Sequence, residues 1–284
     1  MQALMLSYRH SFHAGNFADV VKHVVLVALL RYMTRKEAPF CYIDTHAGAG
    51  GYDLRGEHAR KTAESEAGIG RISSATDAPA PVARYLDIVR RYAATAGQFG
   101  YPGSPWIAAE LMRRQDRLML CELHGSDFPQ LRQMFRPDRR VHCYAEDGYR
   151  FSIGLVPPAE RRGLILMDPS YELKNEYSVA VTTLGRLHRR FATGVYALWY
   201  PLLAGRDSAM LKRSIDRLGI RDMLNLELVI ADRNADVGMY GCGMILVNPP
   251  WTLRNDMELA LPYLAEKLGR NIDSSYRIEL WSAE

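Results

Sequence analysis

The 284 residues are 48% hydrophobic and 24% charged, which suits one large α/β domain or one domain carrying an insertion. No apolar run approaches the roughly 18 residues of a membrane span, and the opening MQALMLSYRHSFHAG lacks a signal-peptide core, so no membrane role and a cytoplasmic location are expected. The four cysteines, Cys41, Cys121, Cys143 and Cys242, form no CxxC pair and argue against a zinc knuckle or a secreted disulfide framework, and the net charge of +4 is only mildly basic.

A first helix is expected after Asn16, a good N-cap, because Phe17, Val20, Val21, Val24, Val25, Ala28 and Leu29 recur along one face. Asp19, Lys22 and His23 fall off that stripe. Residues 39–44 form a short apolar run ending in Asp44, and Thr45-His46-Ala47-Gly48-Ala49-Gly50 follows as a glycine loop. The segment 51–100 breaks the βα rhythm: it holds no convincing strand and several helical stretches, and reads as a helical insertion. The core is then 1–50 with 101–284. After Tyr101-Pro102-Gly103-Ser104-Pro105 comes a helix, and strands are expected at 118–122, 141–144, 163–168, 194–199, 225–230 and 243–248. Seven strands alternating with helices predict a mostly parallel sheet with ligands at the strands' C-terminal ends.

Four strands in chain order end in, or just before, a carboxylate: Asp44, Glu122, Asp147 (followed by Gly148) and Asp168. A single such acid is more often a turn or cap residue, but four in order would line one crevice. Gly48 and Gly50 let the backbone approach a nucleotide-like ligand, although a plain tight turn explains them equally well. Glu122 is placed to accept from two ribose hydroxyls. His10, His13, Asp19 and His23 are weighed as a metal site and set aside, since no carboxylate motif completes the set.

Asp168-Pro169-Ser170-Tyr171 resembles the [DNS]-P-P-[YFW] signature of methyltransferases acting on the amino groups of adenine or cytosine. An aromatic amine is a poor nucleophile because its lone pair is delocalised. A carboxylate and a proline carbonyl accepting its two N–H bonds aim that lone pair at a methyl sulfonium, and Tyr171 would stack on the extruded base. Ser170 stands where the signature has a second proline. Asn248-Pro249-Pro250-Trp251 matches the letters better, but Asp168 is preferred because three acid-ended strands precede it; the alternative for Asn248 is a strand terminator packing Trp251 into the core.

Over nearly its whole length the chain resembles the large-subunit ribosomal RNA adenine-N6 methyltransferase J family, through Tyr8-Arg9-His10-Ser11-Phe12-His13-Ala14-Gly15-Asn16, DTHAGAG from Asp44, YPGSP from Tyr101, RRGLILMDP from Arg161 and the final NPPW. The resemblance implies a Rossmann-like core with a small helical subdomain and an N-terminal segment, 1–15, covering the site. It implies S-adenosylmethionine held by His23, His46, Ser104, Glu122, Asp147, Gly148 and Asp168, with Asp168 also accepting the amine proton and Tyr8 touching the RNA. Large-subunit ribosomal RNA is the expected partner, with no metal and a monomeric state. The alternatives are a DNA adenine-N6 methyltransferase and a nucleic-acid-binding protein that has lost catalysis. Arginine outnumbers lysine thirty to six, in clusters such as Arg113-Arg114-Arg117 and Arg132-Arg136-Arg139-Arg140, which suits phosphate recognition or a merely solvated surface.

Overall fold

The computed structural model describes residues 9–173, 175–204, 208–233, 238–270 and 274–281. Helix α1 (Phe17–Met33) starts where Asn16 accepts the Asp19 amide, and it leads to strand β1 (Cys41–Asp44). Strand β2 (Gly51–Asp53), helices α2 (Glu57–Thr62), α3 (Glu64–Ala67), α4 (Ile69–Ile72) and α5 (Ala80–Ala96), and strand β3 (Gly100–Pro102) follow. The alternation then runs α6 (Ser104–Leu111), β4 (Arg117–Cys121), α7 (Asp127–Phe135), β5 (Val141–Tyr144), α8 (Gly148–Leu155) and β6 (Gly163–Met167). It closes with α9 (Glu176–Arg190), β7 (Val195–Leu203), α10 (Ser208–Asp216), β8 (Met223–Val229), β9 (Met239–Val247), α11 (Leu253–Leu268) and β10 (Ser275–Trp281).

The main sheet has the order β10-β8-β9-β7-β6-β1-β4-β5. Strands β5, β4, β1, β6 and β7 are mutually parallel, whereas β9 runs antiparallel to both β7 and β8, and β10 runs antiparallel to β8. This is a Rossmann-like sheet of eight strands, one more than expected. From β1 the chain moves outward through β4 and β5, then crosses to β6 and β7 on the other side. The ends of β1 and β6 therefore flank a topological switch point, where open α/β sheets bind ligands.

Side chains alternate between two cores. Tyr42, Leu164 and Leu166 face the layer of α1, α5, α6 and α11, while Cys41, Ile43, Ile165 and Met167 face the layer of α8, α9 and α10. The one-sided stripe expected for α1 is corrected by its packing: α5, α6 and α11 surround it, and 15 of its 17 residues are buried, Asp19, Lys22 and His23 among them. A helix apolar nearly all round belongs in a core. Between β1 and α6 the chain forms helices α2 to α5, flanked by a short antiparallel ribbon of β2 with β3. Among the described residues no helix is long and apolar enough to cross a membrane.

Candidate active site

Two cavities open above the C-terminal ends of the parallel strands. The first, of about 640 Å³, is lined by His10, Lys22, His23, His46, Ala47, Gly48, Tyr52, Gly103, Ser104, Glu122, His124, Asp127, Asp168 and Ser170. The second, of about 610 Å³, shares His10, Lys22, Asp168 and Ser170 with it and continues past Trp199, Pro201, Leu203 and Met239. Asp168, one residue beyond β6, thus stands where the two compartments meet.

In the first compartment each expected ligand has a reason for its position. Gly48 takes φ +62°, and a Cβ there would lie 2.2 Å from the Tyr52 hydroxyl, so the turn needs glycine. That turn sends the Gly48 amide to Glu122 Oε2 at 2.6 Å, while the His124 amide donates to Oε1 at 2.6 Å. Burial pushes the Glu122 carboxyl upward, against the pull of these two amides. Ser104, at the start of α6, donates to Asp44 Oδ2 at 2.7 Å, as does Tyr42. Asp44 is wholly buried, and burial raises it to about 6, so this first acid supports the loop from beneath and does not line the cavity.

His23 Nδ1 lies 3.0 Å from the Tyr101 hydroxyl, itself 2.9 Å from that of Tyr85 on α5, so β3 and α5 together orient a ring on α1. Its Nε2 is buried without a partner among the described residues, and burial holds the ring down at about 3. His46 packs edge-on to Tyr149 at 4.7 Å and is brought by burial to about 4. Asp147 caps α8 through the Tyr149 amide at 2.9 Å. Gly148 lets that helix press on β1, since a Cβ would lie 1.8 Å from the Thr45 carbonyl oxygen. Both residues stand beside the cavity and outside its lining. Gly50, at φ +85°, turns its bare face to Leu131, Met134 and Phe135 of α7 and so serves packing.

Around Asp168 the structure adds residues that sequence reasoning missed. Lys22 Nζ lies 2.5 Å from Asp168 Oδ2 and 2.6 Å from Asp19 Oδ1. Asp19 Oδ2 in turn meets His10 Nε2 at 2.9 Å and the Gly15 amide at 2.9 Å. Burial works to lower the Lys22 ammonium, but the Asp168 and Asp19 carboxylates outweigh it and raise it. Burial likewise works to raise Asp19, and His10 and Lys22 hold it well below the usual range. The available signal was Asp19 and Lys22, one turn apart inside an otherwise apolar helix.

Tyr171 is a correction to the expected stacking role. Its ring is 3% exposed, lies 4.5 Å from the Tyr177 ring, and donates its hydroxyl to the Trp199 carbonyl at 2.7 Å. It lies beneath the site, and the aromatic side chain lining the second cavity is Trp199. Asn248 is eliminated by strand direction: β9 is antiparallel, so Asn248 sits at the sheet's opposite edge, bonding the Ala192 and Gly194 carbonyls. Trp251 beside it is 74% exposed, contrary to the expected core packing. Tyr8 lies outside the described residues, as does most of the expected covering segment; its remainder includes a 3-10 turn at His10–Phe12.

The family described as "Ribosomal RNA large subunit methyltransferase D, RlmJ" matches residues 37–282. Two proteins named Ribosomal RNA large subunit methyltransferase J are similar over most of their length. That of Haemophilus influenzae is 43% identical, covering 97% of this chain and 98% of the relative. That of Escherichia coli is 45% identical, covering 93% and 94%. The chain belongs to the ribosomal RNA large subunit methyltransferase J family. A crystal structure from Legionella pneumophila superposes with a TM-score of 0.87 at 34% identity, covering 94% of this chain and 98% of the other. As a methyltransferase of that family the chain uses S-adenosylmethionine, and the first cavity suits it. Glu122 offers anchored carboxylate oxygens for ribose hydroxyls, and His23, whose Nε2 has no partner among the described residues, is among the residues that line the cavity.

Proposed function

We propose that this chain transfers the methyl group of S-adenosylmethionine to the exocyclic N6 amine of an adenine in large-subunit ribosomal RNA. The observation that carries this reading is the position of Asp168 at the seam of the two cavities. Glu122, Gly48, His23, His46 and Ser104 border the cofactor side, with Asp147 and Gly148 behind them. Trp199 and Pro201 border the side suited to a flat heterocycle. When bound, S-adenosylmethionine supplies an electrophilic methyl group on a positively charged sulfur.

Asp168 carries the chemistry that the chain itself must provide. Lys22 fixes its Oδ2, and Oδ1 has no partner among the described residues. Oδ1 and the Pro169 carbonyl accept the two N–H bonds of the amine, drawing its lone pair out of the ring and toward the methyl carbon. Methyl transfer from the bound cofactor, which would leave as the neutral thioether, would put a positive charge on the nitrogen, and Asp168 Oδ1 is the group placed to take one of its protons and pass it to solvent. A paired base cannot present its N6 amine to a pocket, so the adenine enters flipped out of its stack. Tyr8 is assigned to the RNA, as the family resemblance implies. RNA is preferred to DNA because the relatives are named for ribosomal RNA, and the cytoplasm is where such a substrate is met.

Asp168→Asn keeps the shape of the side chain but removes its capacity to take the proton. Turnover is expected to fall by at least about 100-fold, while calorimetric affinity for S-adenosylmethionine changes only a few-fold. Turnover at the wild-type rate would remove Asp168 from this role.

A further inference from the structure

In the signature that Asp168-Pro169-Ser170-Tyr171 resembles, a second proline fixes φ and stiffens the loop. Ser170 gives up that restraint. The loop nonetheless passes through a left-handed residue, Tyr171 at φ +54°, a conformation unfavourable for a non-glycine residue. Such strain persists only where the surroundings over-determine it. One restraint is the Tyr171 hydroxyl on the Trp199 carbonyl. The second is Glu176, 9% exposed in the first turn of α9. Its Oε2 accepts from the Leu173 amide at 3.1 Å and lies 3.5 Å from the Ser170 hydroxyl, while its own amide donates to the Leu173 carbonyl at 3.1 Å. The loop is therefore clasped from both directions by one residue.

We propose that Glu176 is a positioning residue for methyl transfer, bracing through Ser170 and Leu173 the loop that carries Asp168 and Pro169 and replacing the stiffness of the missing proline. The inference rests on the reading of Asp168 as the group that orients the amine. Both contacts use a single carboxylate oxygen, so the acceptor geometry is what the brace needs, and a glutamine can supply it. An alanine cannot.

The test compares wild type, Glu176→Ala, Glu176→Gln and the double variant Glu176→Ala with Ser170→Pro by two measurements. Amide exchange of residues 168–173 in the free protein is expected to quicken about tenfold in Glu176→Ala, the loss of roughly one hydrogen bond, and to recover in Glu176→Gln. Single-turnover methyl transfer should fall about tenfold in Glu176→Ala with KM for RNA unchanged within about twofold, as expected of a loss felt only in the transition state. Glu176→Gln should recover most of that rate, and so should adding Ser170→Pro to the alanine variant. Wild-type exchange and rate in Glu176→Ala would overturn the proposal. So would a loss that neither glutamine nor proline repairs, which would mark a general structural role. The exchange measurement uses no nucleic acid, so it judges the brace even if adenine in RNA proves to be the wrong substrate.

Discussion

Asp44, Glu122 and Asp168 could be picked out in the sequence because each ends an apolar run, and strand ends in an α/β sheet share one crevice. Lys22 was passed over, although it and Asp19 stand one turn apart within a largely apolar run. A lysine and an aspartate off a helical stripe normally mark a solvated face, and only the packing of α5, α6 and α11 around α1 turns them into a buried pair beside Asp168. Tyr171 failed for a related reason: the motif gives its place in the chain, while its burial against Tyr177 and its bond to the Trp199 carbonyl are set by tertiary packing. Burial also leaves a signature in pH. His23 falls from an ordinary 6.5 to about 3, so the unfolded chain binds a proton that the folded one refuses. The stability tied to a neutral His23 is complete above pH 6.5 and is lost as pH falls toward 3. Asp44, raised from 3.8 to about 6, acts with the opposite sign: its contribution is complete below pH 3.8 and is lost as pH rises through 6. Urea unfolding of wild type and His23→Gln at pH 7 and pH 5 separates the histidine's part, which should amount to about 2 kcal/mol at the lower pH. Equal losses in the two proteins would show that His23 titrates normally.

At the scale of elements, the seven expected strands are present because β-branched and aliphatic runs bounded by loops admit few other readings. The eighth, β10, was missed although Tyr276, Ile278 and Leu280 alternate with Arg277 and Glu279; a half-exposed edge strand after a helix carries a weak apolar signal. The β2–β3 ribbon is too short for any periodicity to reveal. The direction of β9 is also invisible in sequence, and it puts Asn248 at the opposite end of the sheet, in line with the preference for Asp168 drawn from strand order. What joins the elements at the site is close backbone approach, above all where α8 meets the end of β1. Gly148→Ala would drive a methyl group into the Thr45 carbonyl oxygen and push the two apart. A loss of about 2–3 kcal/mol in unfolding free energy is expected, together with weaker binding of S-adenosylmethionine by calorimetry. Wild-type values for both would mean that the helix start is free to move aside.

Across the whole molecule, three of the thirty arginines serve the fold and not a ligand. Arg113 donates to the Thr34, Lys36 and Ala38 carbonyls and pairs with Asp116, which is 2% exposed. Arg140 takes the Met112 and Ala109 carbonyls, and Arg162 takes those of Met33 and Ala38. These residues lie at the ends of α1 and α6 and the starts of β4, β5 and β6, the edge of the sheet away from the crevice. They tie helix ends to strand starts, so Arg113→Ala should cost about 2–3 kcal/mol of stability, by leaving the Thr34, Lys36 and Ala38 carbonyls and the charge of buried Asp116 without the guanidinium, and leave KM for RNA unchanged. A raised KM with unaltered stability would instead put Arg113 on the substrate. The central claim, adenine N6 methylation at Asp168, is tested most directly by the product. Protein would be incubated with tritiated S-adenosylmethionine and unmodified large-subunit ribosomal RNA, with DNA in parallel, and the nucleic acids digested to nucleosides. The account predicts label in N6-methyladenosine from the RNA, and none with Asp168→Ala. Label in another nucleoside, in DNA alone, or undiminished in Asp168→Ala would contradict it.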